Sequence, residues 1–182
     1  MGASDATNSG IPAQSTAVTG GDPVQQVVIT GNQLPATASD SQIRSDVQAI
    51  ASSPNVAPNI MNAWANSNPN APPVPAGTEG STKVEQGAWI VQNSDGSYTY
   101  VPMPSGTRGS LPDFTMPPPD TVAFFHTHPN TYDEGYEYGP SRNDNNFVNN
   151  PAINVPGIII SHNGMYYYGP PVPSTNSSNG KQ

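Results

Sequence analysis

Apolar residues in the first part of the chain recur at helical spacing. Within residues 41–52, Ile43, Val47 and Ile50 stand at positions i, i+4 and i+7, which places them on one face of a short helix. The prolines that follow stop this helix, because proline lacks a backbone N–H and its ring clashes with the preceding turn. A second short helical turn is predicted around Trp64.

The second part of the chain has the short apolar runs of β-strands. Residues 121–125 form a continuous apolar run of the kind that fills a buried strand. Asp95-Gly96 and Asn163-Gly164 are strong hairpin signals, because such dipeptides adopt the positive φ angles of tight turns. Five strands are therefore predicted, over residues 84–91, 98–101, 121–125, 157–161 and 165–168.

These patterns divide the chain into four segments. Residues 1–40 are mostly small and polar and are predicted to be a flexible lead-in. Residues 41–80 carry the short helices and a Pro/Asn-rich linker, and residues 81–170 carry the strands of the folded domain. Residues 171–182 are predicted to be a disordered tail.

The charge of the chain argues against two classes of partner. Its 182 residues have a formal net charge of −8 and contain only five Lys and Arg. A nucleic-acid surface needs clustered basic side chains, and an anionic membrane surface attracts the same groups. We therefore expect no nucleic acid and no membrane as partner, and a basic or neutral partner suits the charge better.

Two features that the sequence lacks limit the kind of metal site and the cellular location that we expect. The chain has no cysteine, so histidine and carboxylate side chains must hold any metal. The N-terminus lacks the basic start and the run of about 7 to 15 apolar residues of a Sec signal, and no stretch reaches the roughly 18 apolar residues of a membrane span. The protein is therefore expected to be cytoplasmic or to be exported by a specialised secretion system.

Two of the histidines stand two residues apart at the end of a predicted strand. Residues i and i+2 of a strand point to the same face, so His126 and His128 can converge on one metal ion. Asp144 is the candidate for a third, oxygen ligand. Three protein ligands leave the fourth tetrahedral position open, which is typical of catalytic zinc sites. The sequence therefore predicts Zn²⁺ as cofactor.

Two further side chains are candidates for the chemistry. A carboxylate must take a proton from water and pass it to the leaving amine, and Glu85, at the start of the first predicted strand, is the best placed. Glu79 is the rival. The Ser141 hydroxyl could donate to the developing oxyanion. The structural alternatives are a solvent-facing strand position for Glu85 and helix-capping positions for Ser141 and Asp144.

This order of residues resembles the JAMM signature of the JAB/MPN metalloproteases. The chain has Glu85, then His126-Thr127-His128-Pro129, then Ser141-Arg142-Asn143-Asp144. Residues 81–170 look like a bacterial subgroup found at the C-terminal ends of Rhs-type polymorphic toxins. The resemblance implies a mixed α/β fold of the JAB/MPN (cytidine-deaminase-like) type, with a curved sheet and few short helices.

The resemblance also implies the roles of the site residues. By it, His126, His128 and Asp144 bind zinc, Glu85 is the general acid/base, and Ser141 stabilises the tetrahedral intermediate. Characterised relatives cleave peptide or isopeptide bonds. The implied function is a zinc metallopeptidase or isopeptidase of the JAMM type.

The chain departs from the family pattern at two places. Residues 129–140 form a longer loop than most members have, and the Pro-rich residues 102–119 stand where the family usually has a helix. We expect the longer loop to shape substrate access, with its tyrosines either as substrate contacts or as packing within the loop; it carries Tyr132, Tyr136 and Tyr138 beside Asp133, Glu134 and Glu137.

Three functions remain open at this point. The first is a protease or isopeptidase that acts as a bacterial toxin or effector domain, with a protein or peptide substrate and a cognate immunity protein as partners. The second is a JAB-like binding or scaffold domain without catalysis. The third is a zinc amidase that acts on non-protein amides.

Overall fold

The computed structural model describes residues 38–112 and 116–173. Most of the predicted lead-in (1–37) and most of the predicted tail (174–182) lie outside the described residues. Within them the helices are α1 (Ala38–Ala51), α2 (Ala57–Asn66) and α3 (Arg142–Val148), with a single 3-10 turn at Tyr132–Glu134. The strands are β1 (Gly87–Gln92), β2 (Tyr98–Pro102), β3 (Thr121–His128), β4 (Gly157–Ser161) and β5 (Gly164–Tyr168).

The five strands form one open sheet in the order β2-β1-β3-β4-β5. All neighbouring strands are antiparallel except β3 and β4, which run parallel. The two predicted hairpins are confirmed, because β1 pairs with β2 and β4 pairs with β5 across short turns. The predicted mixed α/β class, with a sheet and few short helices, is therefore confirmed.

Two predicted strand boundaries are wrong by more than one residue, and both bear on the candidate site. The first strand begins at Gly87 instead of residue 84, because the backbone of Glu85 pairs outside the sheet: its N–H donates to Thr107 (2.8 Å), and its carbonyl accepts from Gly106 (2.8 Å). The third strand does not end at residue 125 but continues to His128. The parallel pairing with β4 extends it, so the histidines lie within a strand and not after its end.

One face of the sheet is covered by α1 and α2. Val47, Ile50 and Ile60 of these helices are buried in the same hydrophobic cluster as Ile90 and Phe125 of the sheet. Each such side chain contributes about 1.5–3 kcal/mol by leaving water. The core therefore does not break at residue 80, where the sequence pattern changes from helices and linker to strands.

The opposite face of the sheet is covered in part by α3. Trp89, Phe124, Val148 and Val155 form a second buried cluster there. Because side chains alternate along a strand, the face of β3 that carries Phe124 also carries the next two even-numbered residues. The histidines of β3 consequently lie on the α3 side of the sheet.

The connection from β2 to β3 contains no helix in its described part, which omits residues 113–115. The described helices are also short, and none is both long and apolar enough to span a membrane.

Candidate metal centre

The two histidines of β3 present the same ring atom to a common point. The Nε2 atoms of His126 and His128 lie 3.0 Å apart, since both side chains leave the same face of the strand. His126 is only 2% exposed, and its ring stacks on Phe124 with 5.2 Å between ring centres. Packing on the second core cluster thus holds this ring in place.

Asp144 meets the histidines from α3. Its Oδ1 atom lies 3.2 Å from Nε2 of His126, and its Oδ2 atom lies 3.6 Å from Nε2 of His128. Burial by itself raises the pKa of Asp144, but hydrogen bonds from His126 and Ser141, together with the charge interaction with His126, outweigh it and hold this pKa well below its usual range. The carboxylate is therefore charged at neutral pH.

The capping alternative for Ser141 and Asp144 is confirmed as well. The N–H of Ser141 donates to Oδ2 of Asp144 (2.7 Å), and the N–H of Asp144 donates to Oγ of Ser141 (3.2 Å), which together form a capping box. The cap fixes the carboxylate at the first turn of α3, while its other oxygen faces His126. Asp144 can therefore cap α3 and belong to the His-His-Asp group at the same time.

His128, Asp144 and His126 fit a metal ion by distance and by donor type. One ligand atom from each of the three lies within 4.8 Å of the others. With metal–ligand bonds of 2.0–2.1 Å, a tetrahedral zinc site has ligand–ligand edges of about 3.3 Å. The two Nε2 atoms lie 3.0 Å apart, and each lies near one oxygen of Asp144, His126 at 3.2 Å from Oδ1 and His128 at 3.6 Å from Oδ2, so the spacings are close to that value. The group could therefore hold a metal ion.

A backbone contact sets the tautomer of His128. Its Nδ1 atom lies 3.1 Å from the carbonyl oxygen of Glu137, which can only accept, so Nδ1 carries the proton. The lone pair then sits on Nε2, the atom that faces His126. Burial, and after it the neighbouring His126, lower the pKa of His128 to about 4. His128 is neutral at pH 7, as a metal ligand must be.

All five site residues predicted from the sequence line one cleft of about 320 Å³. Glu85 is only 8% exposed, so the alternative of a solvent-facing strand position is wrong for it. Burial, and after it the charge of Asp144, raise the pKa of Glu85 to about 8. The rival Glu79 lies in an exposed segment and does not line this cleft.

Glu134, in the loop after β3, is buried and ion-paired instead of facing solvent. It is 2% exposed and pairs with Lys83 and Arg108, at 2.5 and 2.8 Å. It also closes a capping box with Thr131. The spacing Thr-x-x-Glu was a readable signal for this cap. The buried ion pairs depend on loops that only the fold brings together.

Glu134, Lys83 and Arg108 form an ion-pair cluster that connects the segments around the cleft. Arg108 also donates to Asn130 (3.0 Å) and lies over the ring of Tyr136, 5.1 Å from its centre. The backbone N–H of Val74 donates to Glu134 (3.0 Å). The Pro/Asn-rich segment, the connection after β2 and the loop after β3 therefore meet at one carboxylate.

His162, the third histidine, is exposed at the turn between β4 and β5 and is not part of the metal-binding group. Its Nε2–H donates to the carbonyl of Pro129 (3.0 Å).

Comparison of the chain with protein-family models, with curated proteins and with solved structures gives no match.

Proposed function

We propose that this protein is a zinc-dependent hydrolase of the JAMM type, with the JAB/MPN fold, that cleaves peptide or isopeptide bonds. The observation that carries the proposal is the meeting of a His-His-Asp group, a buried carboxyl group and a hydroxyl group in one cleft. These are a ligand set with an open position, a candidate acid/base and a candidate oxyanion donor.

Zinc suits this ligand set better than the other common metals. Two imidazoles and one carboxylate without thiolate are typical of catalytic zinc, whereas magnesium and calcium prefer sites made only of oxygen ligands. When bound, zinc supplies a Lewis acid and brings the pKa of a water in its open position to about 7. His126 and His128 would bind it through Nε2, and Asp144 through a carboxylate oxygen.

Glu85 is the proposed proton carrier. A general base of a hydrolase works best when its pKa lies near the operating pH, and burial shifts Glu85 in that direction. Glu85 would take a proton from the attacking water and release it to the leaving amine. A nearby dication favours the charged carboxylate, so the bound state has the base form available.

Ser141 is the proposed oxyanion donor, because its hydroxyl lines the cleft beside Asp144. In the cap, Oγ of Ser141 accepts from the N–H of Asp144. Its own O–H, which bonds to the Asp144 carboxylate, would turn to donate toward the oxygen that becomes negative during attack. Such donors act on the transition state more than on the substrate.

The biological setting is part of the same proposal. The motif resemblance to toxin-associated JAMM proteins supports a bacterial toxin or effector, delivered by a specialised secretion system and neutralised by an immunity protein. The hydrolase proposal does not depend on this setting.

The proposal is tested by amide hydrolysis with the zinc-loaded protein on peptide, lysine-isopeptide and non-protein amide substrates. We expect turnover of a peptide or isopeptide that Glu85→Gln lowers by at least about 100-fold while zinc stays bound. Glu79→Gln is the matched control and should keep full turnover.

Three results would overturn the proposal in part or in whole. Cleavage of non-protein amides alone would favour the amidase function. Equal rates for wild type and Glu85→Gln would remove Glu85 from the mechanism. No turnover of any class, with zinc bound, would favour a JAB-like binding or scaffold domain.

A further inference from the structure

A chain of buried hydroxyl groups joins α2 to the strand that carries the histidines. The Ser67 hydroxyl donates to the carbonyl of Ala63 (2.9 Å), which can only accept, so its single proton is committed there. In the contact between Ser67 and Thr127 (Oγ to Oγ1, 2.7 Å) the donor must therefore be Thr127. Oγ1 of Thr127 in turn accepts from the backbone N–H of Gln86 (3.0 Å). Both hydroxyl-bearing residues are fully buried.

Hydrogen bonds to Ser67 and Thr127 are made by the residues on both sides of Glu85. On one side of Glu85, the N–H of Gln86 donates to the Thr127 side chain. On the other side, the N–H of Val84 donates to the carbonyl of Ser67 (3.2 Å). Both neighbours of the candidate acid/base are thus tied to the same pair of residues.

Thr127 is the only residue between the two histidines, and its side chain leaves the opposite face of β3. Its backbone N–H also donates to the carbonyl of Gln86 (3.0 Å). Thr127 therefore ties the segment that carries Glu85 to the strand that carries His126 and His128, through both its backbone and its side chain.

We propose that Ser67 and Thr127 are positioning residues that hold Glu85 in register with the His126–His128–Asp144 group. The inference rests on the proposed function for the role of Glu85, whereas the tie itself can be measured without metal or substrate. The hydroxyl of Thr127 is required because it accepts and donates at once, and Ser67 extends the tie to the helix layer.

The test uses variants of Thr127 and one matched control on the same strand. Thr127→Val has nearly the shape of threonine but lacks the hydroxyl, and Thr127→Ser restores it. Thr121→Val removes another buried hydroxyl of β3, which donates to the carbonyl of Pro118 (2.7 Å) far from the histidines. Ser67→Ala removes the next member of the chain and leaves Thr127 as the acceptor of the Gln86 N–H, so it tests the contribution of Ser67 by itself.

The first measurement is amide hydrogen exchange at Gln86 by NMR on metal-free protein, relative to the slowest amides of β3 and β4. We expect at least about 10-fold faster relative exchange in Thr127→Val, because hydrogen-bonded amides exchange only after local opening, and a smaller increase in Ser67→Ala, where the Gln86 N–H keeps its acceptor but Thr127 loses the partner of its own hydroxyl. Thr127→Ser and Thr121→Val should exchange as wild type does. Unchanged exchange at Gln86 in Thr127→Val, or an equal change in Thr121→Val, would show that the Thr127 hydroxyl does not hold the segment that carries Glu85.

The second measurement is zinc affinity by competition with a chromophoric chelator. Hydrogen-bonding partners of metal ligands typically change affinity by about 10–100-fold. Thr127 bonds to no ligand but stands between two of them on β3, so we expect a loss near the lower end of that range for Thr127→Val, with rescue by Thr127→Ser. Wild-type affinity in Thr127→Val would overturn the link to the metal group. A wild-type protein that binds no zinc would instead overturn the proposed function, while the exchange result still decides whether the tie exists.

Discussion

Oδ1 of Asp144, on α3, lies 3.2 Å from Nε2 of His126, on β3. This contact joins a helix and a strand from opposite sides of the candidate centre. The same carboxylate accepts the N–H of Ser141 through its other oxygen. One residue therefore serves both the local structure of α3 and the metal group, and substitutions can separate the two roles.

Asp144→Asn should keep the cap and lose the metal. An amide oxygen still accepts from the N–H of Ser141, so the melting temperature of the metal-free protein should hardly change. Removal of a direct ligand should lower zinc affinity by more than the roughly 100-fold upper value for residues that only support the ligands.

Asp144→Ala should lose both the cap and the metal ligand, with about 0.5–2 kcal/mol of stability lost with the cap. Calorimetry with and without zinc measures both effects. Wild-type zinc affinity in Asp144→Asn would count against the ligand assignment.

Ser141 allows the cap and the proposed oxyanion donor to be separated. Glycine at a cap position loses only a few tenths of a kcal/mol relative to serine, but it has no hydroxyl. We expect Ser141→Gly to fold normally and to lose about 10²–10³-fold in kcat, whereas Ser141→Thr keeps most of it. Steady-state kinetics on whichever substrate the amide panel identifies checks this. A Ser141→Gly enzyme with wild-type kcat would leave Ser141 as a helix cap only.

Glu134 should make the stability of the protein depend on acid. Burial alone raises its pKa, but hydrogen bonds from Lys83 and from the backbone of Val74 and Thr131 lower it to about 2 from 4.5. A carboxylate with a lowered folded-state pKa contributes stability that is present above about pH 4.5 and is lost as the pH falls toward 2.

Glu134→Gln should therefore lower the free energy of unfolding by about 3 kcal/mol or more at pH 7, because it leaves the buried Lys83 without its charged partner. The difference from wild type should shrink as the pH falls from 4.5 to 2. Urea unfolding at several pH values measures it, with the exposed neighbour variant Asp133→Asn as control. A difference that stays constant with pH would show that the Glu134 charge is not the cause.

The sequence predicted those parts of the fold that depend on local pattern. The helical spacing of Val47 and Ile50 and the hairpin signals at Gly96 and Gly164 arise from near neighbours, and the structure has the corresponding elements. The full length of β3 could not be predicted, since its last residues are held by parallel pairing with β4, which lies about 30 residues later in the chain.

The candidate site was predictable to the level of residue types and spacing. The motif predicted His126, His128 and Asp144 as metal ligands, and the structure places these three side chains together. The burial of Ser67 could not be predicted, because it lies in a Pro/Asn-rich stretch that is typical of a linker. Its partner Thr127 is 60 residues away, so only the packed fold reveals the contact.

The central claim is tested most directly by the metal content of the purified protein. Elemental analysis should be done on wild type and on His126→Ala/His128→Ala, both purified without added metal and again after incubation with zinc and removal of the excess. We expect about one zinc per wild-type chain and none in the double variant. Wild-type protein without stoichiometric zinc even after incubation, or equal zinc in both proteins, would contradict the account.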